Sequence, residues 1–171
     1  RILEEKTSLS SDLIARLVDQ NSIDGMSLEQ AGVLRNGLLS IKAIDPSCGS
    51  GAFLIGLLDE LTRILTTLST IWNDASVSKY ELKHQLLSQS IFGIDLDSKA
   101  VDRTLCRLWL SLAADSVQPF TVSLEAFNIE SGDSLLGTEP QCVHDVKASS
   151  DGFDLVLANP PYVRHGHLAQ E

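Results

Sequence analysis

Two rhythms of apolar and polar positions run along this chain. Apolar residues three and four apart mark helices, because about 3.6 residues complete a turn. Residues 10–18, Ser10-Ser11-Asp12-Leu13-Ile14-Ala15-Arg16-Leu17-Val18, predict a capped amphipathic helix, and residues 27–39 a second. A longer helix over 51–68 follows from Leu54, Leu58, Leu61, Leu65 and Leu68. Residues 69–78 read as a loop, 79–87 as another helix, and 98–113 as a third long one with Val101, Leu105, Leu108 and Leu112 on one face. Four shorter apolar runs predict strands. They are residues 41–44 running into Asp45, 90–94 ending at Asp95, 120–129 stopping before Gly132-Asp133, and 153–158 delivering Asn159.

Strands alternating with helices predict an α/β fold, a mostly parallel sheet with helices on both faces. Ligands of such sheets bind beyond the carboxyl ends of the strands, near the point where strand order reverses. The residues with chemical promise all fall there. Asp45, Asp95, Asp133 and Asn159 close or follow the four predicted strands in turn.

Composition narrows the setting. The chain has 171 residues, 43% of them hydrophobic, enough for one domain with a core. No apolar run approaches the roughly 20 residues that cross a membrane, and Arg1-Ile2-Leu3-Glu4-Glu5-Lys6 is charged rather than signal-like. A cytoplasmic protein is expected. Cys48, Cys106 and Cys142 are far apart, without a Cys-x-x-Cys pair, which argues for reduced thiols and against a zinc ribbon. His165 and His167 lack an evident third ligand, so no metal is expected. Trp72 and Trp109 are expected in the core. The net charge of −10 comes without any cluster of Lys and Arg. If the substrate is a nucleic acid, another segment or chain must supply most of the attraction to phosphate.

Two segments carry specific chemistry. Asp45-Pro46-Ser47-Cys48-Gly49-Ser50-Gly51-Ala52-Phe53 joins a strand to a helix, and its glycines let backbone approach a ligand. A third glycine would complete a dinucleotide fingerprint, but Leu54 stands there, and no Gly-Lys-Ser/Thr follows for a Walker loop. What remains suits a ligand with a cationic amino group and no pyrophosphate, a description that S-adenosylmethionine fits. Asp95 is placed to accept from both hydroxyls of a ribose, whereas neighbouring Asp97 better suits helix capping. Asp133 could accept from an adenine amino group, or simply make a turn. Asn159-Pro160-Pro161-Tyr162 offers two acceptors for a flat exocyclic amine, the Asn159 side-chain carbonyl and the Pro160 backbone carbonyl, beside the ring face of Tyr162. Taken alone, the Pro-Pro pair equally well just ends a strand. Cys48 reads as a small packed residue.

In this order the segments resemble the S-adenosylmethionine-dependent DNA adenine-N6 methyltransferases of type I and type IIG restriction–modification systems. The resemblance rests on residues 45–54, on Ile91-Phe92-Gly93-Ile94-Asp95-Leu96-Asp97, on the following helix with Ala100-Val101 and Leu108-Trp109-Leu110, on Gly132-Asp133-Ser134-Leu135-Leu136, and on Asn159-Pro160-Pro161-Tyr162. It runs from about Ile41 to Arg164. It implies a Rossmann-like methyltransferase fold, with a helical segment over 1–40 ahead of a partial catalytic domain over 41–171. It further implies that Asp45, Pro46, Cys48, Gly49, Gly51, Phe53, Asp95, Leu96 and Asp133 bind the cofactor. In that scheme Asp45 and the Gly49 to Gly51 backbone hold the methionine end, Asp95 the ribose and Asp133 the adenine amine. Asn159, Pro160, Pro161 and Tyr162 would grip a target adenine flipped from duplex DNA, with no metal.

Departures shape the expectation. Residues 7–18 occupy the place of the family's Thr-Pro motif without any proline. Only about four strands precede Glu171, where the family's fold resembles seven strands plus a target-recognition domain. A fragment is therefore expected, with DNA contacted through segments outside this chain, Arg164 equally a phosphate contact or an exposed tail residue, and an open sheet edge inviting self-association. Enzymes that methylate a protein glutamine or an rRNA guanine amine use a similar tetrapeptide but usually lack proline after the first acid, so Asp45-Pro46 favours DNA adenine. A non-catalytic cofactor-binding fragment is the third reading.

Overall fold

The computed structural model describes residues 1–72, 78–117, 122–136, 140–149 and 152–159. Helices α1 (Ile2–Thr7), α2 (Ser11–Gln20) and α3 (Leu28–Leu39) precede strand β1 (Ala43–Asp45). Then come α4 (Ala52–Ser69), α5 (Lys79–Gln89), β2 (Ile91–Asp95), α6 (Ser98–Ala113), β3 (Asn128–Ser131), α7 (Gln141–Ser149) and β4 (Leu155–Val156). All strand pairs are parallel, in the order β3-β2-β1-β4. Strand order reverses between β1 and β4. That is the Rossmann-like arrangement anticipated for the chain.

The alternation of side chains across the sheet sorts the core into two layers. Ala43, Ile91 and Ile129 face a large cluster that includes Leu54, Leu58, Leu65 and Leu68 of α4, Leu82 and Leu86 of α5, and Val101, Leu108 and Leu112 of α6. Their strand neighbours Ile44, Phe92 and Ile94 face Val143 and Val146 of α7. Leu17, Leu34 and Leu38 bring the N-terminal helices into the larger cluster. Truncating a fully buried leucine such as Leu58 to alanine is expected to cost about 2–5 kcal/mol.

Capping explains why several helices start where they do. Ser27 and Gln30 form a reciprocal capping box on α3, and Asp97 caps α6 by accepting from the Lys99 N–H.

Four expectations need correcting. The first strand is Ala43–Asp45 rather than 41–44, because the Ile41 N–H turns back to Leu38 O and the Lys42 N–H is taken by the Asp154 side chain. Within 120–129, a 3-10 turn spans Leu124–Ala126 and the ladder covers only Asn128–Ser131. On either side of that turn Phe127 is buried in the core and Val122 packs partly buried against it, both outside the ladder, so apolar content alone imitates a strand. Within 153–158, only Leu155–Val156 forms ladder, although the Asp154 and Leu157 N–H groups extend the pairing to Lys42 O and Ile44 O. Trp72 is 38% exposed, ending a 3-10 turn over Thr70–Trp72 rather than filling the core; Trp109 packs partly buried against it.

Helices α1 and α7 escape the pattern analysis. The first is six residues, half of them charged, and the second shows only Val143 and Val146 buried on its inward face. No described helix is long and apolar enough to cross a membrane.

Candidate active site

The loop after β1 is held from three sides. Asp45 is fully buried at the end of β1, and its Oδ1 accepts the Ser47 N–H at 3.0 Å. The Cys48 N–H reaches across to Ile94 O at 2.9 Å. Beyond it, the Gly49 N–H donates to Asp95 Oδ2 at 2.8 Å, while the Asp95 Oδ1 accepts from the Asp97 N–H at 2.9 Å. From α6, Thr104 Oγ1 donates to Gly49 O at 2.9 Å and Arg107 Nη1 to Ser50 O at 2.7 Å.

The two glycines do different things. Gly51 has φ +77, and a Cβ there would stand 2.6 Å from Thr104 Cγ2, so its lack of a side chain lets α6 pack close. Gly49 has φ +55, and a Cβ there would meet nothing within 4 Å. The first is filled from inside the fold. The second opens outward, leaving room for a ligand against backbone.

The loop after β3 joins the same rim. The Gly132 N–H donates to Asp95 O at 3.1 Å, and Ser134 Oγ donates to Pro46 O at 2.8 Å. Asp133 makes a turn, since its Oδ1 accepts from the Leu135 and Leu136 N–H groups at 2.9 and 3.0 Å. The turn-forming role and a ligand role are compatible, because Oδ1 takes both of these bonds. Around this rim Phe53, Leu96, Leu135 and Leu136 are strongly exposed for apolar residues. Such a gathering of apolar side chains at strand ends suits a planar apolar ligand surface.

Electrostatics favour a cation here. Burial, opposed by the Ser47 N–H and reinforced by the charge of Asp95, pushes Asp45 above the ordinary carboxylate range. Among the described residues neither Asp45 nor Asp95 takes part in an ion pair. Ser47 Oγ is buried without a hydrogen-bond partner among the described residues. A ligand offering an ammonium and further polar atoms fits this donor and acceptor set.

Cys48 is buried at 5% exposure, its thiol pushed up to about 11 by burial and then by the charges of Asp45 and Asp95. Its side chain packs inward. Phe53 lies in the first turn of α4 and Leu96 directly after β2.

Asn159 is exposed and stands two residues beyond Leu157, whose N–H bonds Ile44 O at 2.9 Å. It therefore emerges at the same sheet edge as the Asp45 loop. Pro160, Pro161, Tyr162, Arg164, His165 and His167 lie outside the described residues.

Sequence reasoning misses Thr104, Arg107 and Ser134, which lock the loop. Thr104 had a readable signal, as a hydroxyl on the otherwise apolar inward face formed by Ala100, Val101, Leu108 and Leu112. A recess of about 300 Å³ lined by Asp59, Arg63, Lys79, Lys83 and Asp115 lies elsewhere. Its Lys83 is already held by Asp115 at 2.7 Å and by Ser111.

Parallel strands in the order 3-2-1-4, with a glycine loop after β1 latched to the acid ending β2, define a Rossmann-like methyltransferase fold. The family is narrower. Residues 89–171 match the Eco57I restriction-modification methylase family. It is 27% identical over 155 residues to the type II restriction enzyme and methyltransferase RM.Eco57I of Escherichia coli, covering 78% of this chain and 16% of that protein. It is 30% identical over 123 residues to a Methanocaldococcus jannaschii protein named as a type II restriction enzyme and methyltransferase, RM.MjaORFECS2P, covering 67% of this chain and 10% of that one. The chain thus spans under a fifth of the length of either relative.

Proposed function

We propose that this chain holds the cofactor and the amine-gripping motif of an S-adenosylmethionine-dependent methyltransferase acting on N6 of adenine in DNA, within a restriction–modification system. The observation that carries the reading is the latch from the Gly49 N–H to Asp95 Oδ2. It sets two acids that have no ion-pair partner among the described residues around a loop open at Gly49, at the sheet edge where Asn159 emerges. The match to restriction–modification methylases supports the substrate class.

The residues present fit the cofactor. A buried carboxylate with no counter-cation among the described residues suits an ammonium, an acid ending β2 suits a ribose diol, and the Ser47 hydroxyl, unpartnered among those residues, leaves one more donor at the loop. Asp45 and the backbone at Gly49 and Gly51 would hold the methionine end, with Pro46 and Cys48 shaping the loop. Asp95 would take the ribose. Asp133, through its second oxygen, would take the adenine amine, with Phe53 and Leu96 as apolar neighbours. When bound, S-adenosylmethionine supplies an electrophilic methyl group on a sulfonium.

The remaining chemistry is carried by the amine grip. The Asn159 side-chain carbonyl and the Pro160 backbone carbonyl would accept both N6 hydrogens, drawing the nitrogen from planar toward tetrahedral so that its lone pair is freed. Pro161 restricts that backbone and Tyr162 stacks on the base. Positioning of the amine supplies most of the acceleration. A chain with net charge −10 needs the DNA phosphates to be gripped by other segments or another chain.

The test is Asn159→Ala in the complete natural protein, read as N6-methyladenine formed on duplex DNA and as cofactor affinity by calorimetry. Methylation should fall by about a thousandfold or more, with cofactor affinity within a few-fold. Undiminished methylation would remove Asn159 from the reading. Transfer by the unsubstituted protein to a release-factor peptide or rRNA, with none to DNA, would overturn the substrate.

A further inference from the structure

Strand β4 is short for the task it has. Only Ala43↔Leu155 and Ile44↔Val156 pair in its ladder, and Val156 is 60% exposed on the face opposite the main core. Register in a strand matters acutely, because a slip of one residue turns every side chain to the other face. Two ladder pairs with one half-covered face specify it weakly.

A carboxylate immediately before β4 supplies what the ladder lacks. Asp154 Oδ2 accepts the Lys42 N–H at 2.8 Å, and the Asp154 N–H donates to Lys42 O at 2.8 Å. The two residues thus close a ring that admits one register only. The other oxygen, Oδ1, lies 2.9 Å from Lys6 Nζ of α1, with the two side chains 28% and 23% exposed. Partial burial makes this pair less screened than an open surface pair. Lys42 itself is tied down, its Nζ bonding Gln89 O and lying 6.0 Å from the Phe92 ring centre, while Phe92 meets Phe153 edge-on at 5.2 Å. Phe153 and Asp154 are therefore anchored by neighbouring contacts. Asn159 follows five residues after Asp154.

We propose that Asp154 is a positioning residue for the amine grip: by clamping the Lys42 backbone and Lys6 of α1, it fixes the register of β4 and hence the place of Asn159. The inference rests on the proposed function for what Asn159 does. The cofactor loop, by contrast, hangs on β1, β2, β3 and α6, none of whose latches involve Asp154.

The experiment compares Asp154→Ala and Asp154→Asn in the complete natural protein. It reads kcat, cofactor Kd, and hydrogen exchange at the Leu157 amide. In Asp154→Ala the Leu157 amide should lose protection and kcat should fall about 10- to 100-fold, as expected for a reacting group displaced by an ångström or so. Cofactor Kd should stay within about threefold. Asp154→Asn retains an acceptor for the Lys42 N–H and loses only the charge facing Lys6, so it should recover most of both. A kcat loss matched by an equal loss of cofactor-binding sites would show a merely structural role and overturn the inference. So would wild-type kcat in Asp154→Ala, or unchanged Leu157 protection. Failure of the functional reading would show instead in the unsubstituted protein, as absence of methyl transfer to adenine.

Discussion

Gly51 and Thr104 occupy each other's space. A Cβ on Gly51 would lie 2.6 Å from Thr104 Cγ2 and 2.9 Å from its Oγ1, while that same hydroxyl donates to Gly49 O. Gly51→Ala is therefore expected to lose about 1–3 kcal/mol from the left-handed backbone alone, with more from displacing Thr104. Thr104→Ala should cost about 1 kcal/mol by removing the hydrogen bond, yet cost less in the Gly51→Ala background, because the clash leaves with the side chain. Denaturant melts of the two single variants and the double variant measure this coupling. Strict additivity would contradict the geometry.

Asp95 latches loops on both sides of β2, its side chain to Gly49 and its main chain to Gly132. In Asp95→Ala the Gly49 and Asp97 N–H groups both lose their acceptor. Cofactor affinity should fall at least about tenfold, or about 1.4 kcal/mol, and the Gly49 amide should exchange faster even without cofactor. Asp95→Asn keeps one acceptor and should fall between. Titration calorimetry and amide exchange test the two parts separately. Slow Gly49 exchange in Asp95→Ala would dismiss the latch.

Legibility in the sequence follows the range of the interactions involved. The spacing of Val101, Leu105, Leu108 and Leu112, with Asp97 as cap, marks α6 at both ends because every determinant is local. Asp45 and Asp95 are legible for a similar reason, each directly following its apolar run. The start of β1 is not, since the Lys42 N–H goes to Asp154, 112 residues away. The same holds for Thr104 and Ser134, whose partners Gly49 and Pro46 are 55 and 88 residues distant. Only a polar residue on an apolar face hints at such locks. The two-residue β4 is hardest to delimit, because ladder and exit share one apolar stretch, Leu155-Val156-Leu157-Ala158, with no change of hydrophobicity where the ladder ends.

Thiol chemistry gives an independent check on the loop. Burial and then the charges of Asp45 and Asp95 push the Cys48 thiol up to about 11, and burial with Glu130 pushes that of Cys142 up to about 12. At pH 8 only about one Cys48 thiol in a thousand is ionised, and the thiolate is the reactive form. Cys106, exposed on α6, should be alkylated first, partly buried Cys142 more slowly, and Cys48 only on unfolding. Mass spectrometry after timed alkylation orders the three. Early labelling of Cys48 would mean that the loop opens far from the arrangement described.

Asp45 ties stability and function in opposite directions. Its carboxyl is held above the ordinary 3.8 mainly by burial, so the folded state prefers it protonated. Below 3.8 both folded and unfolded forms carry the proton, and the group has no effect on stability. As pH rises from there through the raised folded value, the unfolded chain releases the proton more readily, and the native state bears the full cost of a buried charge above it. Asp45→Asn retains an acceptor for the Ser47 N–H without the charge. The variant should therefore be more stable than the natural protein at neutral pH, with a gain that shrinks as pH approaches 4. It should also bind S-adenosylmethionine at least about tenfold more weakly, since an ammonium loses its counter-charge. Denaturant midpoints from pH 4 to pH 7, alongside calorimetric titration at pH 7, read both effects. A stability difference that stays flat with pH would show that burial does not raise Asp45, and undiminished cofactor affinity would show that its charge is not what holds the methionine end.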